Sequence, residues 1–200
     1  MNSTLIDDTK VEITRPMCII PARKGSKRLK NKNKLLLNGK PLVSYALEAA
    51  IESKLFQMIV VSSDDMDILE IAFSHFLTEI VQPNKRPKVL CGDKVPVKVV
   101  VRFISQIYRS PEVLCLIQPT NPLITAKQIR KAYKVFKKKD ANYLIGVCKG
   151  KDIGFHFMKR DVFLREYDKD FYGTNWIPFE MKGVDIDTIE DFKEAERLLL

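Results

Sequence analysis

The sequence predicts an α/β fold, a mainly parallel sheet with helices on both of its faces. Three observations carry this. Short runs of Ile, Val, Leu and Cys alternate with stretches of helical spacing along most of the chain, the pattern of strand–helix–strand crossovers. The run Val113–Ile117 is apolar without interruption, as in a strand covered on both faces. Polar turns, one of them strongly basic, follow the apolar runs, where open α/β sheets bind their ligands. The chain has 200 residues, 46% of them hydrophobic, enough to bury a core without disulfides or metals. We therefore expect one domain over 1–200, with residues 1–15 as an N-terminal extension.

Taken in order, Met17–Pro21 is an apolar strand and a basic loop follows it. A helix runs from Pro41 to Ser53, with proline at its start. Met58–Ser62 is a strand, and Ser63-Asp64-Asp65 supplies hydroxyl and carboxylate groups suited to opening the next helix. Leu77–Val81 reads as a short strand, the stretch with Pro83, Arg86 and Pro87 as a polar loop, and Val95–Tyr108 as a helix. After Val113–Ile117 the loop Gln118-Pro119-Thr120-Asn121-Pro122 intervenes, and Ala126–Lys138 is an amphipathic helix. Strands follow at Tyr143–Cys148 and Phe155–Met158. Trp176–Met181 then leads toward Asp185. A final helix spans Ile189–Leu200, where Thr188 and Asp191 make a capping-box-like start.

Composition narrows the function classes. No apolar run approaches the roughly 18 residues of a membrane span. Met1–Thr14 is polar with Asp7, Asp8 and Glu12, unlike a secretory signal, so the expected location is cytoplasmic. The four cysteines show no C-x-x-C spacing. Cys18, Cys115 and Cys148 fall in apolar runs and Cys91 in a loop, and we read them as reduced thiols. The net charge is +9, and one segment holds the surplus. Between Ile13 and Leu47 there is no acid, while Arg15, Arg23, Lys24, Lys27, Arg28, Lys30, Lys32, Lys34 and Lys40 stand there. Outside it 25 basic residues face 25 acidic ones. A polyanion is the natural partner of such a segment.

Three groups of residues carry chemistry. Pro21–Asn33 combines Gly25 for close backbone approach, Ser26 and Asn33 as hydrogen-bond donors, and Arg23, Lys27 and Lys32 as cations. That mixture suits a triphosphate, although neither P-loop nor G-x-G-x-x-G spacing is present. Asp185-Ile186-Asp187 places two carboxylates on one side of an extended segment. They either face one Mg²⁺, which favours carboxylates together with substrate phosphates, or close a turn and cap the last helix. The Gln118–Pro122 loop either faces a substrate or is a turn dictated by its prolines.

Together these residues carry a family resemblance. Ile19 to Asn33, then Asn38-Gly-Lys-Pro-Leu42, resembles the N-terminal signature of the acylneuraminate cytidylyltransferases, the CMP-sialic acid synthetases and their pseudaminate and legionaminate relatives. Val60–Asp65, Leu116–Leu123 and Val184–Thr188 are similar to later motifs of that family, in the same order. The Ser26-Lys27-Arg28 triplet resembles the pseudaminate branch. The resemblance implies a three-layer sandwich of the nucleotide-diphosphosugar transferase type. It also implies attack of a sugar's anomeric hydroxyl on the α-phosphorus of CTP, giving a CMP-sugar and pyrophosphate. Carried over by position, Arg23 and Lys32 would hold the phosphates and stabilise the departing pyrophosphate. Gly25, Ser26, Lys27, Asn33 and Arg86 would line the nucleotide site. Gln118, Thr120 and Asn121 would face the sugar, with Phe171 and Tyr172 as an aromatic pair near it. Asp185 and Asp187 would hold Mg²⁺, and Asp187 or a water on the metal would take the hydroxyl's proton.

The partners so implied are CTP and an acidic sugar. Between Val147 and Gly154, where the family carries a longer insertion with dimer contacts, this chain has only Cys148–Ile153, so a homodimer would form without that insertion. Lys149 and Lys151 either serve the sugar's carboxylate or mark a solvated turn. Lys94–Val97 replaces small hydroxyl residues near the base. Competing readings are a nucleotidyltransferase for another acidic sugar or nucleotide, and a reduced relative that binds RNA. Against RNA, no aromatic residue lies between Arg23 and Lys40 to stack on bases.

Overall fold

The computed structural model describes residues 15–74, 80–109, 111–169 and 171–200. The extension expected over 1–15 falls outside them except for Arg15, as do Leu77 to Glu79 of the expected Leu77–Val81 strand. Strand β1 (Met17–Pro21) has its first four residues fully buried. The two-residue strands β2 (Leu36–Leu37) and β3 (Lys40–Pro41) form a hairpin. Its turn is Asn38-Gly39, at φ 47° and 80°, the pair of positive angles that Asn-Gly tolerates best. Helix α1 (Leu42–Ser53) follows, with Pro41 as its N-cap.

Strand β4 (Met58–Ser63) and helix α2 (Met66–Ser74) come next, and the Asp65 carboxylate accepts from the Asp67 N–H at 3.1 Å. β5 (Val81–Lys85) lies in what the sequence suggests is polar loop. It pairs parallel with β4 at the edge of the sheet, where Pro83 is tolerated because an edge strand pairs on one side only. Helix α3 covers Val97–Ile107, shorter than the expected Val95–Tyr108, because Pro96 is its N-cap. Strand β6 (Val113–Ile117) is wholly buried. Helix α4 (Ala126–Lys138) opens with a full capping box between Thr125 and Gln128.

Strands β7 (Tyr143–Cys148) and β8 (Lys151–Lys159) form a hairpin across Lys149-Gly150, at φ 52° and 75°. Those signs are what a two-residue hairpin turn needs. β8 is therefore longer than Phe155–Met158. A short helix α5 (Arg160–Arg165), strand β9 (Trp176–Glu180) and helix α6 (Ile189–Leu198) complete the order.

The seven-stranded sheet runs β5-β4-β1-β6-β8-β7-β9, with β8 antiparallel to both neighbours and the other pairings parallel. On one face Ile20, Val61, Cys115 and Phe157 pack against residues of α1, α2 and α4. On the other Ile19, Leu116 and Met158 pack against α3 and α5. This is the expected three-layer arrangement. A third cluster of Leu37, Leu42, Ile186 and Ala195 ties the hairpin to α6. Cys18 and Cys115 are buried and Cys91 and Cys148 half-buried, all as free thiols. Among the described residues no helix is long and apolar enough to cross a membrane. Phe157 is fully buried and its ring lies 5.3–6.5 Å from those of Tyr133, Phe155, Phe136 and Phe56. Phe157→Ala should therefore lower unfolding free energy by about 3–5 kcal/mol, read from urea denaturation.

Candidate active site

At the carboxyl ends of β1 and β6 a cleft of about 460 Å³ opens, the position where open α/β sheets take ligands. The basic turn after β1 forms one wall. Its backbone is pinned at three points. Asn33, buried, donates from Nδ2 to the Arg23 carbonyl at 2.9 Å. The Lys24 N–H donates to Asp64 Oδ1 at 2.8 Å. Asn31 takes a left-handed φ of 55° to enter the single 3-10 turn at Lys32–Lys34. Arg23, Gly25, Ser26, Lys27, Lys32 and Asn33 all line the cleft. A Cβ at Gly25 would meet no atom within 4 Å, so that stretch of backbone is open to a ligand. Asn33 differs from a free donor, since its amide is engaged with Arg23.

Arg86 reaches the cleft from the end of β5. It is only 7% exposed and donates to the Ser62 carbonyl at 2.7 Å. Burial lowers its guanidinium from the usual arginine value, with Asp64 opposing, yet it keeps a cation at the wall. Val95, Val97 and Val100 add an apolar patch beside it. Arg28, which the sequence marks as a cation of the run and a member of the Ser26-Lys27-Arg28 triplet but assigns no role, lines the cleft too, as does Asp93. In the sequence Asp93 is one acid in a polar loop.

The opposite wall is the segment between β9 and α6. Asp185 and Asp187 both line the cleft. Lys32 donates to the Ile186 carbonyl at 2.6 Å and to Asp187 Oδ1 at 3.1 Å, while Arg28 Nη2 stands 2.9 Å from Asp187 Oδ2. The Ile186 N–H donates to the Thr120 carbonyl at 2.8 Å, so three separate segments meet here. Loss of solvent within the cleft pushes the Asp185 carboxyl up. A hydrogen bond from Thr120 opposes the rise, and the charge of Asp187 adds to it. Beyond Asp187, Thr188 and Asp191 close the capping box of α6. Asp191 Oδ2 accepts from the backbone N–H groups of Asp187 and Thr188 at 2.9 and 2.8 Å.

Gln118 and Thr120 line the cleft as well. The Gln118 side chain lies against Gly154, where a Cβ would come within 2.8 Å of it. Three residues expected to face the sugar stand elsewhere. Asn121 is 1% exposed and sits under Gly183, its amide atoms 3.0 Å from where a Gly183 Cβ would be. Phe171 is 5% exposed and stacks on Phe163 at 5.7 Å, so its ring belongs to the core. Tyr172 is exposed and donates to Asp152 Oδ2 at 3.2 Å, outside the cleft lining. That carboxylate also bonds His156 Nε2 at 2.8 Å and the Gly154 N–H at 2.8 Å. Burial raises Asp152, but these bonds outweigh it and hold the carboxyl below its usual range.

Residues 17–174 match the cytidylyltransferase family. The chain belongs to that family. An N-acylneuraminate cytidylyltransferase of Escherichia coli is 36% identical over 124 residues, 62% of this chain and 29% of that protein. A pseudaminic acid cytidylyltransferase of Campylobacter jejuni is 36% identical over 132 residues, 64% of this chain and 56% of that protein. The chain thus spans little more than half of the one relative and under a third of the other. Among solved structures, a CMP:2-keto-3-deoxy-manno-octonic acid synthetase complexed with CTP superposes with a TM-score of 0.73, covering 93% of this chain and 98% of that one. At 14% identity it shares the cytidylyltransferase fold.

The cytidylyltransferase cleft has a donor set that fits a hard divalent cation. Asp185 and Asp187 offer carboxylate oxygens on one wall, those of Asp187 shared with Lys32 and Arg28. Among the described residues no third acid, histidine or cysteine joins them.

The capping box gives a prediction. Burial pushes Asp191 up, but the N–H groups of Asp187 and Thr188 and the Thr188 hydroxyl outweigh it, so its carboxyl is held low. Stability from this depressed group is present above the ordinary aspartate value near 3.9 and is lost as pH falls through the lower folded value. Thr188→Ala should cost about 0.5–2 kcal/mol at neutral pH, measured by urea denaturation, and the loss of stability on acidification should be shallower in that variant.

Proposed function

We propose that this chain is a Mg²⁺-dependent cytidylyltransferase that activates a nonulosonic, sialic acid-like sugar with CTP, releasing pyrophosphate. The observation that carries the reading is the meeting of the basic turn and the aspartate segment across one cleft, with Lys32 3.1 Å from Asp187. The two 36%-identical relatives, named for N-acylneuraminate and pseudaminic acid, support the sugar class. A reaction drawing on CTP fits the cytoplasm.

In this reading the triphosphate lies along the basic turn, against Gly25, Ser26, Asn33 and the cations Arg23, Lys27 and Lys32. The nucleoside takes the side of Arg86, Val95 and Val97. The sugar approaches from Gln118 and Thr120. Its anomeric oxygen forms a bond to the α-phosphorus, and the bond from that phosphorus to the bridging oxygen breaks, the electron pair leaving with pyrophosphate. Such a transfer asks the protein mainly for positioning and for charge stabilisation. Arg23 and Lys32 supply cations where negative charge grows. Magnesium, held by Asp185 and Asp187 when bound, would neutralise phosphate oxygens. Asp187 is our candidate to take the hydroxyl's proton.

Pyrophosphate release from CTP and Mg²⁺ should be measured with N-acylneuraminate, pseudaminate and legionaminate. We expect release with one of them. Arg23→Ala and Lys32→Ala should each lower kcat/KM about 100-fold or more, and Asp187→Asn should lose most turnover. Silence across sugars and nucleotides, with tight salt-sensitive RNA binding instead, would sink the enzymatic reading.

A further inference from the structure

We propose that Asp93 is a specificity-determining residue of this cleft, an internal counter-anion that competes with incoming phosphate for two cations of the basic turn. The inference rests on reading that turn as the phosphate cradle. Arg23 Nη1 pairs with Asp93 Oδ1 and Lys27 Nζ lies 3.2 Å from Asp93 Oδ2. Each carboxylate oxygen thus takes a different cation, as two oxygens of one phosphate group would. Asp93 lines the same cleft, and its side chain is 30% exposed, so it is not locked in the core. It follows Gly92, whose φ of 100° is a turn conformation that glycine adopts without strain.

A ligand entering this cleft therefore exchanges ion pairs. A tethered carboxylate competes at a local concentration on the order of millimolar or more. A single phosphate group that met Arg23 and Lys27 alone would replace two contacts with two similar ones. A polyphosphate extends further along the turn, to Lys32 and Arg28, which Asp187 rather than Asp93 pairs, and so draws on four cations where Asp93 holds two. Asp93 so sets how much phosphate a ligand must carry to occupy the cleft, and its return helps to expel pyrophosphate after transfer.

Inorganic pyrophosphate, titrated calorimetrically without metal, is the probe. Asp93→Asn should bind it about three- to tenfold tighter than the wild-type chain, the range that one half-buried and one exposed ion pair can withhold. Equal or weaker binding by a normally melting Asp93→Asn chain would overturn the proposal and make Asp93 a scaffold for the cations. Should that variant not fold, the wild-type chain carries the test. Cys91, half-buried two residues away, should change its rate of labelling by a thiol reagent at saturating pyrophosphate, with Cys91→Ser as the control. An unchanged rate overturns the proposal. A wild-type chain that releases pyrophosphate from CTP while Asp93→Asn gains no affinity leaves the reaction standing and removes only this inference. Tighter pyrophosphate binding without turnover of any sugar does the reverse.

Discussion

Lys32 holds two stretches of chain together that lie 155 positions apart. One ammonium group donates to the Ile186 carbonyl and to the Asp187 carboxylate, and Arg28 takes the other Asp187 oxygen. The Asp185–Asp187 segment forms no strand and belongs to no helix. What fixes it is this clamp, the Ile186 bond to Thr120 and the capping box that orients α6. The Lys32 side chain is 12% exposed, so the contact is shielded from solvent and from salt more than a surface pair is. The sheet positions the loops, and the clamp makes two of those loops a single cleft.

Four cations of the cleft are paired with two carboxylates before any ligand arrives. Asp187 answers Arg28 and Lys32, and Asp93 answers Arg23 and Lys27. A cationic pocket with no internal acids would hold its side chains apart by repulsion, and each would adopt many rotamers. Its pairing with Asp187 keeps the shielded Lys32 in place at the cleft wall, which lowers the entropy that a bound polyphosphate has to remove there. Lys27 and Arg28 are exposed, so these contacts are ones that a stronger anion can take over.

The elements that could be read from sequence are those whose residues face one environment along their length. Met17–Pro21, Val113–Ile117, Ala126–Lys138 and Tyr143–Cys148 have the bounds that their patterns suggest, because continuous burial or a clean helical stripe leaves a mark on every residue. Val81–Lys85 carries Gln82, Pro83 and Asn84 and is a strand only because β4 offers its edge. The same holds at the cleft. The basic turn and the aspartates were visible as unusual local chemistry. Asn121 and Phe171 were misplaced because local sequence does not say that Gly183 lies over the one or that Phe163 stacks on the other. Asp93 was missed because an acid in a polar loop looks ordinary until its two cations are seen across the cleft.

The distance along the chain between the clamp's two halves has a consequence for biogenesis. Translation delivers Lys32 of the basic turn 155 residues before Asp187. Over that interval a nascent chain holds a run of cations with no anion from the Asp185–Asp187 segment to meet them. Such a polypeptide is, for that interval, a sticky polycation in a cell full of nucleic acid. Docking of α6 both finishes the cleft and removes that hazard.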